Sequence, residues 1–457
     1  MTNMSAPPAL TPPSVVWRPD DTAPAVPACP DTVYREDILA TIEQTVKALD
    51  GELRHATGHP ELGYEEYRTH DVLTAFMGNH GFEVKKKYHL ETAWLATFSN
   101  GTGGRTIGIN SEMDALKGVG HACGHNLIAI AGVAVACAIK AVFEKFNISG
   151  KIQLLGTPAE EGGLGKVKLL DAGCYKEMDA CLISCPGVTP APGPKGSVSL
   201  SSCLAMERLT VEYFGHTAHA ALSPWEGRNA LDAAVLGYNN ISALRQQLRP
   251  THRVHGIFEG KDWAPNIIPD YAKYICYVRA PTVAEQKETL KRVIPCFDAA
   301  ALATGCTVKV SFMGESSDIR QNKALGDEVA HIVRSKYGDI DYEWGIKSAS
   351  TDFGNVTYAL PSLHPGFGAP VFPLRFSPLA QWRLIGICFP AIPTVPDGGN
   401  HTRGFADAAA TMPAHYACLD VVKALAATGV RVVIDDHFYA QVKKTFEEDK
   451  AVRSLIN

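Results

Sequence analysis

The 457-residue chain lacks most of the features that would place it outside the ordinary globular class. It has no surplus of one charge. Its 43 basic and 48 acidic residues leave a formal net charge of −5, so there is no general electrostatic reason to bind nucleic acid or an anionic membrane. It has no long apolar run. The nearest approach, residues 127–139, is shorter than the roughly 20 residues a bilayer needs and stops at Lys140, so it reads as a buried core helix. No Gly-x-Gly-x-x-Gly or Walker pattern follows a strand-like segment, which argues against a nucleotide-binding α/β protein. No Cys-x-x-Cys occurs among the 12 scattered cysteines. With no secretion signal read at the start, the cysteines are expected to be mostly reduced, buried small hydrophobes, and the location cytoplasmic. There are no internal repeats, and the only biased tract is residues 1–30, rich in Pro, Ala and Thr, which reads as a flexible arm.

What is present is the composition of a folded protein, 46% apolar and 20% charged. Its length is about three times the usual domain size, so two or more packed units are expected. Residues 32–57 carry Ile38, Ile42, Val46, Leu49 and Leu53 at helical spacing, and a second amphipathic helix is expected over 64–80 with Gly81 as its stop. Strand-like segments follow at 92–98, 106–110, 151–156 and 180–184, alternating with helices after His125 and at 165–172. That alternation predicts an α/β layered domain with a largely parallel sheet. Near Ser197 the character changes. Segments 199–214, 271–279 and 307–312 read as strands and 226–248 and 283–303 as helices, which predicts a small α+β domain inserted into the first. The expected organisation is an arm over 1–30, a discontinuous main domain over 31–198 and 315–457, and an inserted domain over 199–314. An amphipathic helix over 436–455 closes the chain.

The sharpest local feature is Gly120-His121-Ala122-Cys123-Gly124-His125-Asn126, ahead of the apolar helix. Histidine and cysteine are ligands that zinc selects, and three of them within five residues, joined by small residues, can converge on one point. The plain alternative is a chance cluster at a helix start, with Asn126 or His125 as a cap. A second feature, Thr157-Pro158-Ala159-Glu160-Glu161-Gly162-Gly163, follows the strand at 151–156, where active sites of open α/β sheets lie. Adjacent side chains diverge, so one carboxylate can bind a metal while its neighbour faces the attacking water as general base. Most Glu-Glu pairs are solvated loops, and that is the alternative here. Two weaker clusters complete the set: Gly399-Asn400-His401-Thr402 in a Pro/Gly-rich stretch, and Gly215-His216-Thr217-Ala218-His219 in the inserted domain. A lone loop histidine is usually a surface residue.

In this order, Cys-Gly-His, Glu-Glu-Gly, Gly-x-x-Ala-His, Asn-x-Ile-Pro (Asn266 to Pro269) and a late His-Thr, the motifs resemble metallopeptidase family 20. This is the co-catalytic dizinc group of aminoacylases, carboxypeptidase G and auxin-conjugate amidohydrolases. The stretches Glu112-Met113-Asp114-Ala115-Leu116 and Ser350-Thr351-Asp352-Phe353-Gly354-Asn355 resemble its amidohydrolase branch, nearest the cytosolic dipeptidase-like and aminobenzoyl-glutamate-hydrolase-like members. The resemblance covers roughly residues 32–425.

The resemblance implies a zinc-exopeptidase-like three-layer α/β/α catalytic domain with an inserted ferredoxin-like dimerisation and lid domain, closing over a small amide substrate. It implies two divalent metal ions, zinc first, with manganese or cobalt as alternatives. Cys123 would bridge them, His125 would bind one, and Glu161 and His401 the other. Glu160 would be the general base, Asp114 would support the ligands from behind, and His219 would reach the active site of the partner subunit in a homodimer. Asn266 would position the substrate. Arg279 would do so too, an exposed strand arginine being the alternative.

The chain departs from the pattern at one position. Where the family places a metal-binding histidine before Pro-Gly, it reads Ser184-Cys185-Pro186-Gly187. Cysteine ligates zinc, so Cys185 can complete the first site, with lower Lewis acidity at that ion. The alternatives are a weak or empty first site and an inert core Cys185. The expected activity is metal-dependent hydrolysis of a dipeptide or N-acyl amino acid. The alternatives are a metal-poor, non-catalytic binding or regulatory protein of this fold, or a biosynthetic enzyme forming or rearranging an amide. Trp225, Trp263, Phe367 and Trp382 are either aromatic pocket or core.

Overall fold

Ile38, Ile42, Val46, Leu49 and Leu53 are all buried on one side of helix α1 (Thr32–Leu53), each such burial being worth about 1.5–3 kcal/mol. The computed structural model describes residues 32–54, 59–188, 196–200, 202–340, 349–369 and 399–456; the expected arm over 1–30 and Trp382 lie outside them. After α1 come α2 (Tyr67–Asn79), β1 (Glu83–Lys86), β2 (Trp94–Asn100), β3 (Thr106–Glu112), α3 (His125–Phe146), β4 (Gly150–Thr157), α4 (Gly165–Asp171) and β5 (Ala180–Leu182). Gly81 follows α2 at φ +80°, a left-handed stop that glycine adopts without strain.

The described residues divide into two units, each with its own apolar cluster. The first comprises residues up to Ser202 with Arg320–Lys347 and Asn355–Ile456. Its main sheet has the order β1-β2-β4-β3-β5-β13, where β13 is Ser362–Leu363. Strands β4, β3, β5 and β13 run parallel, and β1 and β2 are added antiparallel. Every residue of β3 is buried, as a strand covered by helices on both faces must be. The apolar run at 127–139 is part of α3. That helix is long and apolar enough to cross a membrane, but it lies mostly buried in this unit against α1, β3 and α10 (Met412–Ile434). A second, four-stranded sheet has the order β12-β7-β14-β6, from β6 (Cys185–Val188), β7 (Gly196–Ser199), β12 (Gly338–Ile340) and β14 (Gly366–Ala369). The unit also holds α7 (Lys323–Ile332), most of α8 (Phe353–Ala359), α9 (Arg403–Ala409) and α11 (Asp436–Ile456).

The second unit comprises Cys203–Ile319 with Ser348–Gly354. It runs β8 (Ala205–Phe214), α5 (Ala230–Leu244), β9 (Arg253–Gly260), β10 (Tyr271–Ala280), α6 (Val283–Thr304) and β11 (Thr307–Ser316). Its antiparallel sheet has the order β11-β8-β10-β9, the ferredoxin-like arrangement. In β8 and β10 alternate residues are buried, and α5 and α6 pack on this sheet. The fold is therefore the α/β layered architecture with an inserted α+β unit. Two details differ from the sequence reading. Segment 199–214 is not one strand: β7 ends at Ser199 in the first unit and β8 starts at Ala205 in the second. Strand β9 is additional to the strands expected from the sequence. It sits at the edge of its sheet with Val254 as its one buried residue, so it has no alternating pattern to read.

Candidate metal centre

Strand β3 ends at Glu112, and the chain beyond it carries Asp114. Strand β4 ends at Thr157, and the loop beyond it carries Glu160 and Glu161. The two strands are parallel neighbours with Glu112 opposite Thr157, so both loops emerge at the carboxyl edge of the sheet. Between β3 and α3 lies the loop with Cys123, and His125 is the first residue of α3. Gly124 turns the chain there at φ +86°, and a Cβ on it would stand 2.3 Å from Pro186 Cγ; only glycine fits. Cys185 opens β6. His401 arrives from far along the chain because its backbone N–H donates to Ala122 O at 2.8 Å. Thr402 then caps α9, accepting from the Phe405 N–H.

Two ligand groups result. Cys123, Glu161 and His401 offer ligand atoms within 4.8 Å of one another, and so do His125, Glu160 and Glu161. Glu161 belongs to both, so the donors describe two adjoining positions. His125 Nε2 and Glu161 Oε1 are buried without a hydrogen bond. Buried polar atoms are rarely left this way, and in a set of sulfur, imidazole and carboxylate donors the orphaned atoms fit a divalent ion.

The surroundings fix each ligand. Asp114, buried, accepts from the backbone N–H groups of Glu160 (3.1 Å) and Glu161 (2.9 Å). Its backbone oxygen lies 2.7 Å from His125 Nδ1. Burial raises the Asp114 carboxyl, but His125 and the two backbone donors outweigh it and hold it below the usual range. Burial, then the Glu161 and Glu112 charges, push Glu160 well up. Glu161 also feels burial, yet the His401 and His125 imidazoles bring it down, with His401 Nε2 3.3 Å from Glu161 Oε1. The pair is therefore split into a proton holder, Glu160, and an ionised donor, Glu161. Cys123 is raised well above the usual thiol range by the hydrogen-bonded Cys185 thiol and by burial, against the pull of His125 and His401. Its thiol and that of Cys185 are thus in contact. Contact with Cys123 and Glu161 moves His401 up to about 10.

Further residues escape a reading of the sequence. The buried carboxylate of Glu66 accepts from Ala159 N–H (2.9 Å) and Thr92 Oγ1 (2.6 Å), bracing the loop before Glu160. Lys166, with a fully buried side chain, places Nζ 2.7 Å from Glu112 Oε1. In the sequence Glu112 stands out only as part of a motif, and nothing in the spacing of Lys166 separates it from a surface lysine.

The remaining predicted residues belong to the second unit. His219 is exposed, and its Nδ1 accepts from the backbone N–H groups of Ala221 (3.2 Å) and Leu222 (3.0 Å). The neutral ring therefore carries its proton on Nε2. Asn266 is its neighbour: the Asn266 backbone oxygen accepts from Ala220 N–H at 3.0 Å, and His219 bridges to Ile267. Arg279 lies elsewhere. It is half-buried, donates to Ser350 Oγ at 3.0 Å, and pairs with Met206 at the far end of the strand whose Tyr271 pairs with Phe214 near His219. Of the aromatics, Phe367 is core, whereas Trp225 and Trp263 are exposed.

A model of peptidase family M20/M25/M40 matches residues 108–372. The mouse (Mus musculus) Xaa-Arg dipeptidase is 36% identical over 431 residues, covering 91% of this chain and 93% of that enzyme. A p-aminobenzoyl-glutamate hydrolase from Escherichia coli K12 is 30% identical over 286 residues, 58% of each chain. Among solved structures, the Bacillus subtilis YXEP protein, a dinuclear metal binding peptidase, superposes with a TM-score of 0.56 at 16% identity, over 83% of this chain and 98% of that one.

Proposed function

The chain belongs to peptidase family M20/M25/M40 and is a metal-dependent amidohydrolase, and from that premise we propose that it hydrolyses dipeptides of the Xaa-Arg type at a centre of two divalent ions. The observation that carries this reading is the convergence of Cys123, His125, Glu160, Glu161 and His401 from three separate loops. Cys123 serves both ions, His125 and Cys185 hold one, and Glu161 and His401 hold the other. Thiolate and imidazole donors favour zinc, with manganese and cobalt as alternatives. When bound, the ions supply Lewis acidity toward the scissile carbonyl and the attacking water. Glu160 takes the proton from water as its oxygen joins the carbonyl carbon, then delivers it to the departing amine nitrogen as the C–N bond breaks. His219 donates its Nε2 hydrogen to the carbonyl oxygen as negative charge builds there. Asn266, its neighbour in the fold, and Arg279 position the substrate. The extensive identity to the mouse dipeptidase supports arginine as the preferred C-terminal residue.

The working enzyme is a homodimer. His219 and Arg279 stand at opposite ends of one sheet, eight residues along β10, about 26 Å at roughly 3.3 Å per residue. A small amide cannot touch both within one protomer, so one substrate meets His219 of one subunit and Arg279 of the other. Exposed Ile257 on edge strand β9, with Leu222 and Trp225 near His219, supplies apolar surface for that association. The free thiols among the described cysteines suit a reducing cytoplasm.

The test is turnover of Xaa-Arg dipeptides, dipeptides with neutral C-terminal residues and N-acyl amino acids, before and after treatment with a chelator. Xaa-Arg cleavage that chelator abolishes and added zinc, manganese or cobalt restores is expected. Chelator-insensitive cleavage contradicts the metal assignment; cleavage of N-acyl amino acids alone contradicts the substrate.

A further inference from the structure

We propose that Glu112 is an additional metal ligand, supplying a carboxylate oxygen to the ion held by His125. The inference rests on the metal centre proposed above. The Nδ1 of His125 is committed to Asp114, 2.7 Å from its backbone oxygen and 3.1 Å from its carboxylate. The other ring nitrogen, Nε2, is buried and makes no hydrogen bond, yet Glu112 Oε2 stands 3.3 Å from it. A hydrogen bond would need the ring N–H aimed at that oxygen, and none forms. Two donor atoms bound to one tetrahedral zinc at about 2.05 Å each lie about 3.3 Å apart. Glu112 Oε2 and His125 Nε2 therefore have the spacing of two corners of one coordination shell. Glu160 Oε2 is farther from the same nitrogen, at 3.7 Å, in keeping with a base beside the ion.

The carboxylate is also held as a ligand must be. Glu112 ends β3 with its side chain almost wholly buried, and its other oxygen, Oε1, is gripped by Lys166 Nζ at 2.7 Å. That pairing turns Oε2 toward His125 and balances one negative charge. A buried carboxylate without such compensation is strongly unfavourable. Buried His364 lies within electrostatic reach of both Glu112 and Lys166, so the group continues behind the site. This arrangement gives the first ion an oxygen donor where the family's usual histidine is replaced by Cys185.

The rival role for Glu112 is counter-ion to Lys166 alone. Two variants separate the roles: Glu112→Gln, nearly isosteric, and Lys166→Met, which removes the cation and leaves the carboxylate. Metal content of the full-length protein after zinc loading is measured by elemental analysis, with zinc affinity by calorimetry and folding by circular dichroism. The expected result is two zinc ions per chain in the parent and in Lys166→Met. Glu112→Gln should be folded and retain one, its weaker site losing more than the 10–100-fold that changes outside the ligand shell produce. Glu112→Gln binding two ions with parental affinity overturns the inference and leaves the metal centre standing. A parent chain that takes up no zinc overturns both.

Discussion

Both the backbone oxygen and the carboxylate of Asp114 face His125 Nδ1, at 2.7 and 3.1 Å, while the carboxylate also accepts the backbone N–H groups of Glu160 and Glu161. One buried side chain thus sets the ring orientation of one ligand and the backbone position of the general base and another ligand. Orienting partners of this kind govern affinity as strongly as some ligands do. Asp114→Asn keeps one acceptor oxygen but turns an NH2 group toward a backbone donor. The expected outcome is a folded protein whose zinc affinity falls about 10–100-fold, read by calorimetry; unchanged affinity would remove Asp114 from this role.

Glu160 is the group in the cluster that most strongly holds a proton, through burial and the neighbouring Glu161 and Glu112 charges. A residue that must accept and return a proton needs that tuning. Glu160→Gln is predicted to bind metal normally and keep KM within a few fold while kcat falls by at least about 10²–10⁴. Steady-state kinetics with parallel metal analysis decide this, and retained turnover assigns the base elsewhere.

His219 has its Nδ1 occupied by two backbone donors, leaving Nε2–H as the free donor. His219→Ala is expected to lower kcat by about 10²–10³. Because the histidine acts on the other subunit's substrate in the proposed dimer, mixing inactive Glu160→Gln with inactive His219→Ala should recover activity. Random re-pairing makes half the dimers mixed, each with one intact site, so about a quarter of parental turnover is expected. No recovery, with exchange of subunits verified, would place both residues in one subunit's site.

Much of this is readable from the sequence because it is written locally. The apolar spacing of α1 and the alternation of strands and helices up to β5 follow from periods that burial imposes on contiguous residues, and the ligand-bearing motifs Cys123–His125 and Glu160–Glu161 are short. The meeting of His401 with Cys123 is legible only through resemblance, since it depends on a backbone bond from His401 to Ala122 across the fold. The Glu112–Lys166 pair is not legible. A buried lysine differs from an exposed one only by its partner, and that partner is 54 residues earlier on a parallel strand. Strand β9 is hidden for the opposite reason: exposure on an edge leaves nothing for a pattern to record. The Arg279 alternative of an exposed strand residue fails on burial and on its bond to Ser350.

The inserted unit carries a pH-dependent weakness independent of the metal. Glu207 on β8 is buried and faces Glu315 on β11, and burial, then that neighbour, raise its carboxyl to about 7. The folded value lies above the unfolded one, about 4.5. The group therefore costs nothing below pH 4.5, when both states are protonated, and the cost grows as pH rises to 7 and is complete above it. Its size is on the order of 3 kcal/mol at most. Glu207→Gln keeps an acceptor for Gly314 N–H and removes the charge. Thermal unfolding should show the variant stabilised at pH 8 and nearly equal to the parent near pH 4.5; equal midpoints at both would contradict the assignment.

The account depends most on side chains 123, 125, 161 and 401 gathering around bound ions. Anomalous diffraction from zinc-loaded crystals, collected on both sides of the zinc edge, tests this directly. Two peaks about 3.5–4 Å apart, within bonding distance of the Cys123 sulfur, the His125 and His401 nitrogens and the Glu161 oxygens, are predicted. Zinc density elsewhere, or none in this cluster after loading, would contradict it.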